Sequence, residues 1–368
     1  MAVRIGVPKE TDVHEQRVAV VPDGVRVLVR AGATVTVERG AGARAFYADP
    51  LYEAVGATLV DDVTAVYGGS DVVVKVQRPA AAEIAGLRRG TVLISLLAPA
   101  TNVESVRALE AAGVTALALE LVPRISRAQS MDVLSSQSTV AGYKAVLIAA
   151  DTLPRLLPMM TTAAGSLAPA KAFVLGAGVA GLQAIATARR LGAVVSAFDV
   201  RAAAREQVLS LGATFVAAES VTADAETAGG YAREQSDEQQ RRIAAAIGGH
   251  IADMDLVIST AQIPGRPAPR LITAEMVHRM RPGSVIVDLA AEAGGNCELT
   301  RPGETVDVAG VRVLGPLNVP SMLPFHASQM FSKNVVTLLQ HLIKDGALAL
   351  DLTDEITKAM AVSGKSSG

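Results

Sequence analysis

Tryptophan is absent from this 368-residue sequence, and aromatic residues make up only 3% of it. Stacking of successive bases on aromatic side chains is thereby excluded as a way to bind single-stranded nucleic acid. Charge of one sign is also lacking: 34 Lys and Arg face 36 Asp and Glu, for a net charge of −2. No basic footprint for DNA or RNA follows from that balance. A single cysteine, Cys297, excludes an internal disulfide and any multi-thiolate metal site. Its default reading is a small buried residue. The histidines (His14, His250, His278, His326 and His341) sit in segments that read as loops or helices. None accompanies a nucleophile or shows metal-ligand spacing, so no metal site is expected. The opening MAVRIGVPKE has no signal-peptide core. Residues 313–332 are free of charge, but Pro316, Asn318, Pro320, Pro324 and His326 interrupt them, which does not suit a spanning helix. A soluble, cytoplasmic protein is expected.

Half of the residues are apolar, and Ala, Val, Leu and Gly dominate, as buried parallel sheets flanked by helices require. The length accommodates two domains with well-filled cores. The most informative stretch is KAFVLGAGVAGLQAIATARRLGAVVSAFDVR, residues 171–201. An apolar run leads into Gly176, Gly178 and Gly181, a helical pattern follows, and a second apolar run closes on Asp199. That order is strand, glycine turn, helix, strand, acid, the dinucleotide-binding pattern within one βαβ unit. Gly176 makes the tight turn, Gly178 lets backbone approach a pyrophosphate, and Gly181 lets helix pack on strand. The helix N-terminus beginning near Val179 offers N–H groups and a partial positive charge to phosphates. Asp199 stands where a carboxylate accepts both adenosine-ribose hydroxyls. A 2′-phosphate there would meet a like charge worth roughly 1–4 kcal/mol at about 4 Å, which favours NAD over NADP. Arg201 complicates that preference, since an arginine at this place can accept the phosphate.

Before this stretch, strands and helices alternate. Strands are expected over residues 3–8, 34–40, 71–79, 91–99 and 115–123, with helices over 23–32, 50–56 and 103–113. These make a parallel sheet of about five strands. Its first turn carries Pro8-Lys9-Glu10 in place of glycines, so this domain reads as Rossmann-like without a nucleotide of its own. PRISRAQSMDVLSSQS, residues 123–138, is polar and reads as no regular element. It leads into a helix from about 136 to 150 with serines as N-cap candidates, bridging two domains. Further strands are expected at 254–260, 284–290 and 311–315, and a helix at 327–343 that crosses back onto the first domain. Residues 226–247 begin too polar for a core, and Gly229-Gly230-Tyr231 suggests a mobile flap near the cofactor or an exposed connection. The tail SGKSSG is expected to be disordered. The fold class is thus α/β: two Rossmann-like doubly wound parallel-sheet domains with a cleft between them. Their expected limits are 1–135 plus 319–368, and 136–318.

Along nearly its whole length the chain resembles the NAD(H)-binding alpha-1 component, domain I, of proton-translocating NAD(P) transhydrogenase. The motifs that carry this are IGVPKE, EQRVAVVP, VVVKVQRP, PRISRAQSMDVLSSQS, GAGVAGLQAIATARRLGA, DVRAA, ETAGGYA, IPGRPAP, DLAAEAGGNCE and NVPS. PRISRAQSMD is the most specific of them. The resemblance implies that Arg124, Gln129 and Asp132, with Ser135 just after, form the loop beside the nicotinamide. It assigns the adenosine half of NAD(H) to Gly176, Gly178, Val179, Gly181, Asp199, Val200 and Arg201. It places Gly229 and Tyr231 in a flap that closes on NAD, and Gln262 near the cofactor where an apolar residue is expected. It further implies a homodimer, NADP(H) held on a partner domain, and membrane-spanning proton-channel subunits on other chains, with this chain peripheral to the inner membrane.

Alanine dehydrogenase is a relative of that family and the rival reading. Arg17 and Lys75 sit where that enzyme holds its keto-acid substrate. The catalytic histidine expected in ISLLAPA is replaced by Leu97, and the catalytic aspartate expected before Gly-Gly is Glu292. Alanine oxidation removes a proton as well as a hydride and needs a base. Hydride passage between two nicotinamides needs position and exclusion of water. A non-catalytic NAD-sensing module is the remaining alternative; it shares the glycines and Asp199 but gives no reason for PRISRAQSMD.

Overall fold

The computed structural model describes residues 2–217, 237–262, 265–344 and 346–364. The chain divides into two compact units, Met1–Gln137 with Pro320–Gly368, and Ser138–Val319. Strands are numbered among the described residues.

Unit 1 is built on a six-stranded parallel sheet. Its strands are β1 (Arg4–Val7), β2 (Thr34–Glu38), β3 (Thr58–Val60), β4 (Val72–Val74), β5 (Val92–Ser95) and β6 (Thr115–Ala118), in the order β3-β2-β1-β4-β5-β6. Valine, leucine and isoleucine fill the central strands because both faces of a parallel sheet are covered. Side chains alternate between the two covered faces: Val72, Val74 and Ile94 join one apolar cluster, while Val73, Leu93 and Ala116 join another. The first cluster is completed by the helix Pro324–Leu342, through Phe331, Val335, Leu338, Leu339 and Leu342.

Unit 2 carries a seven-stranded sheet and a separate two-stranded hairpin. The hairpin pairs β7 (Met160–Thr162) with β8 (Gly165–Leu167) and is exposed along its length. The sheet consists of β9 (Lys171–Leu175), β10 (Val194–Phe198), β11 (Thr214–Phe215), β12 (Leu256–Ser259), β13 (Val285–Asp288), β14 (Thr305–Val308) and β15 (Val311–Leu314). Their order is β11-β10-β9-β12-β13-β15-β14, parallel except for β14, which runs antiparallel to β15. Again the strands feed two faces: Ala172, Val174, Leu256 and Ile258 one side, Phe173, Leu175, Val257 and Ile286 the other.

Several sequence expectations need correction. The first sheet has six strands, not five, because Thr58–Val60 forms a short edge strand. Strands β11 and β14 were likewise not expected. The polar segment after residue 123 is partly regular: Ser126–Met131 is a 3-10 turn, and the long helix starts at Val133 and runs to Thr152. Its first turn is bound by Asp132, not by a serine: Asp132 Oδ1 accepts from the Ser135 N–H at 2.9 Å. At the tail, Ser363 is buried and bonds Val114 O and the Ala116 N–H of unit 1; the four residues after Gly364 lie outside the described residues.

Candidate functional site

In unit 2 the glycine turn joins β9 to the helix Val179–Arg190. Gly176 has φ +92°, a left-handed conformation that favours glycine, and a Cβ there would meet Thr260 Oγ1 at 2.7 Å. At Gly181 a Cβ would lie 1.8 Å from the Gly176 carbonyl oxygen, so only glycine lets helix and strand approach. Gly178 differs: no heavy atom lies within 4 Å of its would-be Cβ. The protein's own packing therefore demands glycine at 176 and 181 but not at 178. Gly178 is the helix N-cap and supplies no side-chain cap to the first N–H groups of the helix, the groups that a helix start leaves without an intrahelical partner. Thr260 Oγ1, just past β12, sits 3.2 Å from Leu175 O and 3.1 Å from Gly176 O and holds the turn down.

Asp199 follows β10 with its side chain 6% exposed. Its Oδ2 accepts from the Ala177 N–H at 2.7 Å, tying the second strand to the glycine turn. Its Oδ1 accepts from the Arg201 N–H at 2.8 Å, which turns the chain through Val200. The Arg201 guanidinium closes on the same carboxylate, Nε to Oδ1 and Nη2 to Oδ2, each at 2.9 Å.

The loop after β12 is held by a buried amide. Asn296 Oδ1 accepts from the Ala261 N–H at 3.0 Å, and its Nδ2 donates to Ala261 O and Pro269 O, both at 2.8 Å. Gln262 is exposed and donates from Nε2 to Leu289 O at 2.6 Å. Nearby Asp288, fully buried, accepts from Ser259 Oγ, the Ala290 and Cys297 N–H groups, and Thr300 Oγ1. Four donors satisfy this carboxylate, which sequence reasoning did not single out. Cys297 is buried, and burial pushes its thiol above the ordinary range. Glu292 is exposed and accepts from the Asn318 N–H at 3.2 Å. His250 packs edge-on to Phe173 and lies 2.7 Å from Ser196 Oγ; burial lowers its pKa. Among the described residues no group of three or more His, Cys, Asp or Glu is placed to hold a metal ion. Gly229 and Tyr231 lie outside the described residues.

In unit 1 the 3-10 turn Ser126–Met131 is anchored on its apolar side by buried Ala128 and Met131. Asn334 Nδ2 donates to Ser130 O at 2.8 Å, and Arg127 pairs with Asp354 at 2.7 Å. These anchors leave Gln129 and Arg124 both exposed at the surface of unit 1. Asp132 accepts from Ser135 through both the N–H and Oγ, the latter at 2.6 Å. Asp132 and Ser135 are thus brought together as a helix cap.

A second constellation in unit 1 is a set of buried ions. Arg17 and Glu15 form a bidentate pair at 2.8 and 2.6 Å, and Arg17 Nη1 also donates to Gln137 Oε1 at 2.8 Å. Lys75 Nζ lies 2.8 Å from Glu83 and 3.5 Å from Glu10. Tyr67 donates to Glu83 Oε1 at 2.6 Å. Burial drives the Glu10 carboxyl up to about 7 despite Lys75 and the Val76 N–H. Burial would raise Glu83 as well, but the Lys75 charge and hydrogen bonds from Lys75, Tyr67 and the Ala80 N–H hold it below its ordinary value. Sequence reasoning found Arg17 and Lys75 but not the three carboxylates that match them. Leu97 is 1% exposed, and its N–H donates to Glu120 at 2.9 Å.

Two parallel sheets of Rossmann-like order, one with a glycine turn tied to an acid, define a dinucleotide-fold α/β protein of two units. The chain belongs to the alanine dehydrogenase/PNT family: residues 6–141 match its N-terminal domain and residues 145–366 its C-terminal domain. Among curated relatives, an NAD(P) transhydrogenase subunit alpha protein of Rhodospirillum rubrum is 49% identical over 98% of this chain and 96% of that protein. Alanine dehydrogenase of Mycobacterium tuberculosis is 33% identical over 82% of this chain and 76% of that protein. The crystal structure of transhydrogenase from Sinorhizobium meliloti is 50% identical, with TM-score 0.90, over 98% of each chain. A solved L-alanine dehydrogenase gives TM-score 0.81 at 32% identity, over 98% of this chain and 94% of that one.

Proposed function

We propose that this chain is the NAD(H)-binding component of a proton-translocating NAD(P) transhydrogenase. In this reading it holds NADH for direct hydride transfer to NADP⁺ bound on a partner subunit, and membrane subunits couple the transfer to protons. The residues fit such a cofactor. Asp199, beside Val200 and Arg201, is the acceptor for the adenosine ribose. Gly176, Gly178, Val179 and Gly181 bring helix N–H groups to the pyrophosphate, and the open space at Gly178 is the room a phosphate needs. NADH supplies the hydride when bound. Arg124 and Gln129, on or beside an anchored turn, position the nicotinamide half, with Asp132 and Ser135 holding the turn's end. Gln262 flanks the cofactor from the loop after β12.

The observation that carries this over an amino-acid dehydrogenase is position 97. A proton acceptor is required to oxidise alanine, and here a leucine side chain is packed into the core. Hydride transfer between nicotinamides has no such requirement. The chain works as a homodimer. In support, the hairpin β7–β8 and its approach present Met159, Met160 and Leu167 to solvent, and a lone two-stranded ribbon is marginal without a cover. Among the described residues no helix is long and apolar enough to cross a membrane; the complex would hold this chain on the cytoplasmic side.

The test pairs two assays. NAD⁺ with L-alanine should give no NADH, whereas NADH with an NADP⁺ analogue should react only when the NADP(H)-binding partner is added. NADH formation from alanine would establish the dehydrogenase instead, and NADH binding without either reaction would leave a sensor. Gln129→Asn should slow hydride transfer and leave NADH affinity within about twofold. Equal losses in both would make Gln129 a binding residue alone.

A further inference from the structure

The carboxylate meant for the ribose is already fully used. Asp199 offers about four acceptor positions, and four donors fill them: the Ala177 and Arg201 N–H groups, and Nε and Nη2 of Arg201. The two backbone donors are fixed, one by the glycine turn and one by the bend after β10. The guanidinium, by contrast, reaches the carboxylate on a side-chain stem and is 18% exposed. A ribose diol brings two hydroxyl donors, the same number that the guanidinium contributes.

We propose that Arg201 competes with the adenosine ribose for Asp199, so that dinucleotide binding is an exchange in which the ribose hydroxyls displace the guanidinium. This rests on the reading of unit 2 as the NAD(H) site. The exchange replaces a bidentate pair in which both partners are charged by two hydrogen bonds from neutral hydroxyls to the carboxylate, and the doubly charged fork is the stronger. Arg201 therefore weakens NADH binding. The displaced cation stays two residues from Asp199, within side-chain reach of the ribose 2′ position. A 2′-phosphate meets a guanidinium there as well as a carboxylate, so the same residue lessens the penalty against NADPH. Arg201 narrows discrimination from both directions.

The experiment measures NADH and NADPH dissociation constants for the full chain at fixed ionic strength, using wild type, R201Q, R201K and D199A. R201Q should tighten NADH by about three- to tenfold and weaken NADPH, widening the ratio between them. R201K keeps the charge without the bidentate fork, and its ratio should fall between wild type and R201Q. If R201Q does not fold by thermal melting, the R201K ratio decides alone. Weaker NADH binding by R201Q, or one factor of change for both dinucleotides, would overturn the competition. If the wild type binds NADH, D199A loses it and R201Q leaves the ratio unmoved, the site stands and the competition does not. If the wild type binds no NADH, or D199A leaves its affinity unchanged, the site itself falls and the proposal with it.

Discussion

The two sheets share the order of their first five strands and differ at the turn after the first of them. In unit 1, β1 runs into Pro8-Lys9-Glu10; in unit 2, β9 runs into Gly176-Ala177-Gly178. Both turns lie at the carboxyl edge beside the point where strand order reverses, the crevice where open α/β sheets bind ligands. Glycines at one crevice leave room and uncapped N–H groups. Side chains at the other fill it: Glu10 turns inward and meets Lys75 at the end of β4. One scaffold thus makes an open glycine turn or a buried ionic core according to a few residues.

The contrast can be broken first in unit 1. Lys75→Met would leave Glu10 and Glu83 buried without their cation, and should cost about 3–5 kcal/mol of stability; denaturant unfolding monitors this. A change below about 1 kcal/mol would mean that the carboxylates are held neutral together. Next comes the glycine pair in unit 2. Gly181→Ala drives a methyl into the Gly176 carbonyl and should cost about 1–3 kcal/mol and disturb NADH binding. Gly178→Ala should melt with the wild type yet bind NADH about tenfold more weakly, since only a phosphate needs that space. Unchanged affinity would remove Gly178 from the site.

The smallest effect concerns pH. Glu10 titrates near 7 in the folded chain, above its ordinary value, because burial disfavours its charge. Its contribution to stability is complete below the ordinary carboxylate range and is lost as pH rises through about 7. Glu10→Gln should flatten the stability profile between about pH 5 and 8, measured by denaturant midpoints at each pH. A profile as steep as that of the wild type would place the titration elsewhere.

Elements with a strong local signal were legible from sequence. The run from Lys171 to Asp199 declares itself because turn, helix and strands each demand particular residues over a short span. Thr58–Val60 was not legible: it is three residues long and only half-buried, so it lacks both length and apolar pattern. The start of the long helix was misplaced because the serines after residue 134 competed with Asp132 for the cap, and only geometry decides among them. The ion cluster was hidden for another reason. Glu10 and Lys75 are far apart in sequence, and their pairing depends on which strand ends become neighbours in the sheet. Two of the acidic partners were visible as letters in IGVPKE and EQR, yet nothing local marks them as buried.

The helix Pro324–Leu342 seals the core of unit 1, although the strands it covers end at residue 118. During synthesis the first sheet therefore emerges with one face only partly covered, by the helix Pro22–Arg30, and all of Ser138–Val319 is translated before the rest of its cover arrives. The inserted unit, continuous in sequence, has its strands together first, so the ribosome delivers the glycine-turn sheet complete while the earlier segment still waits.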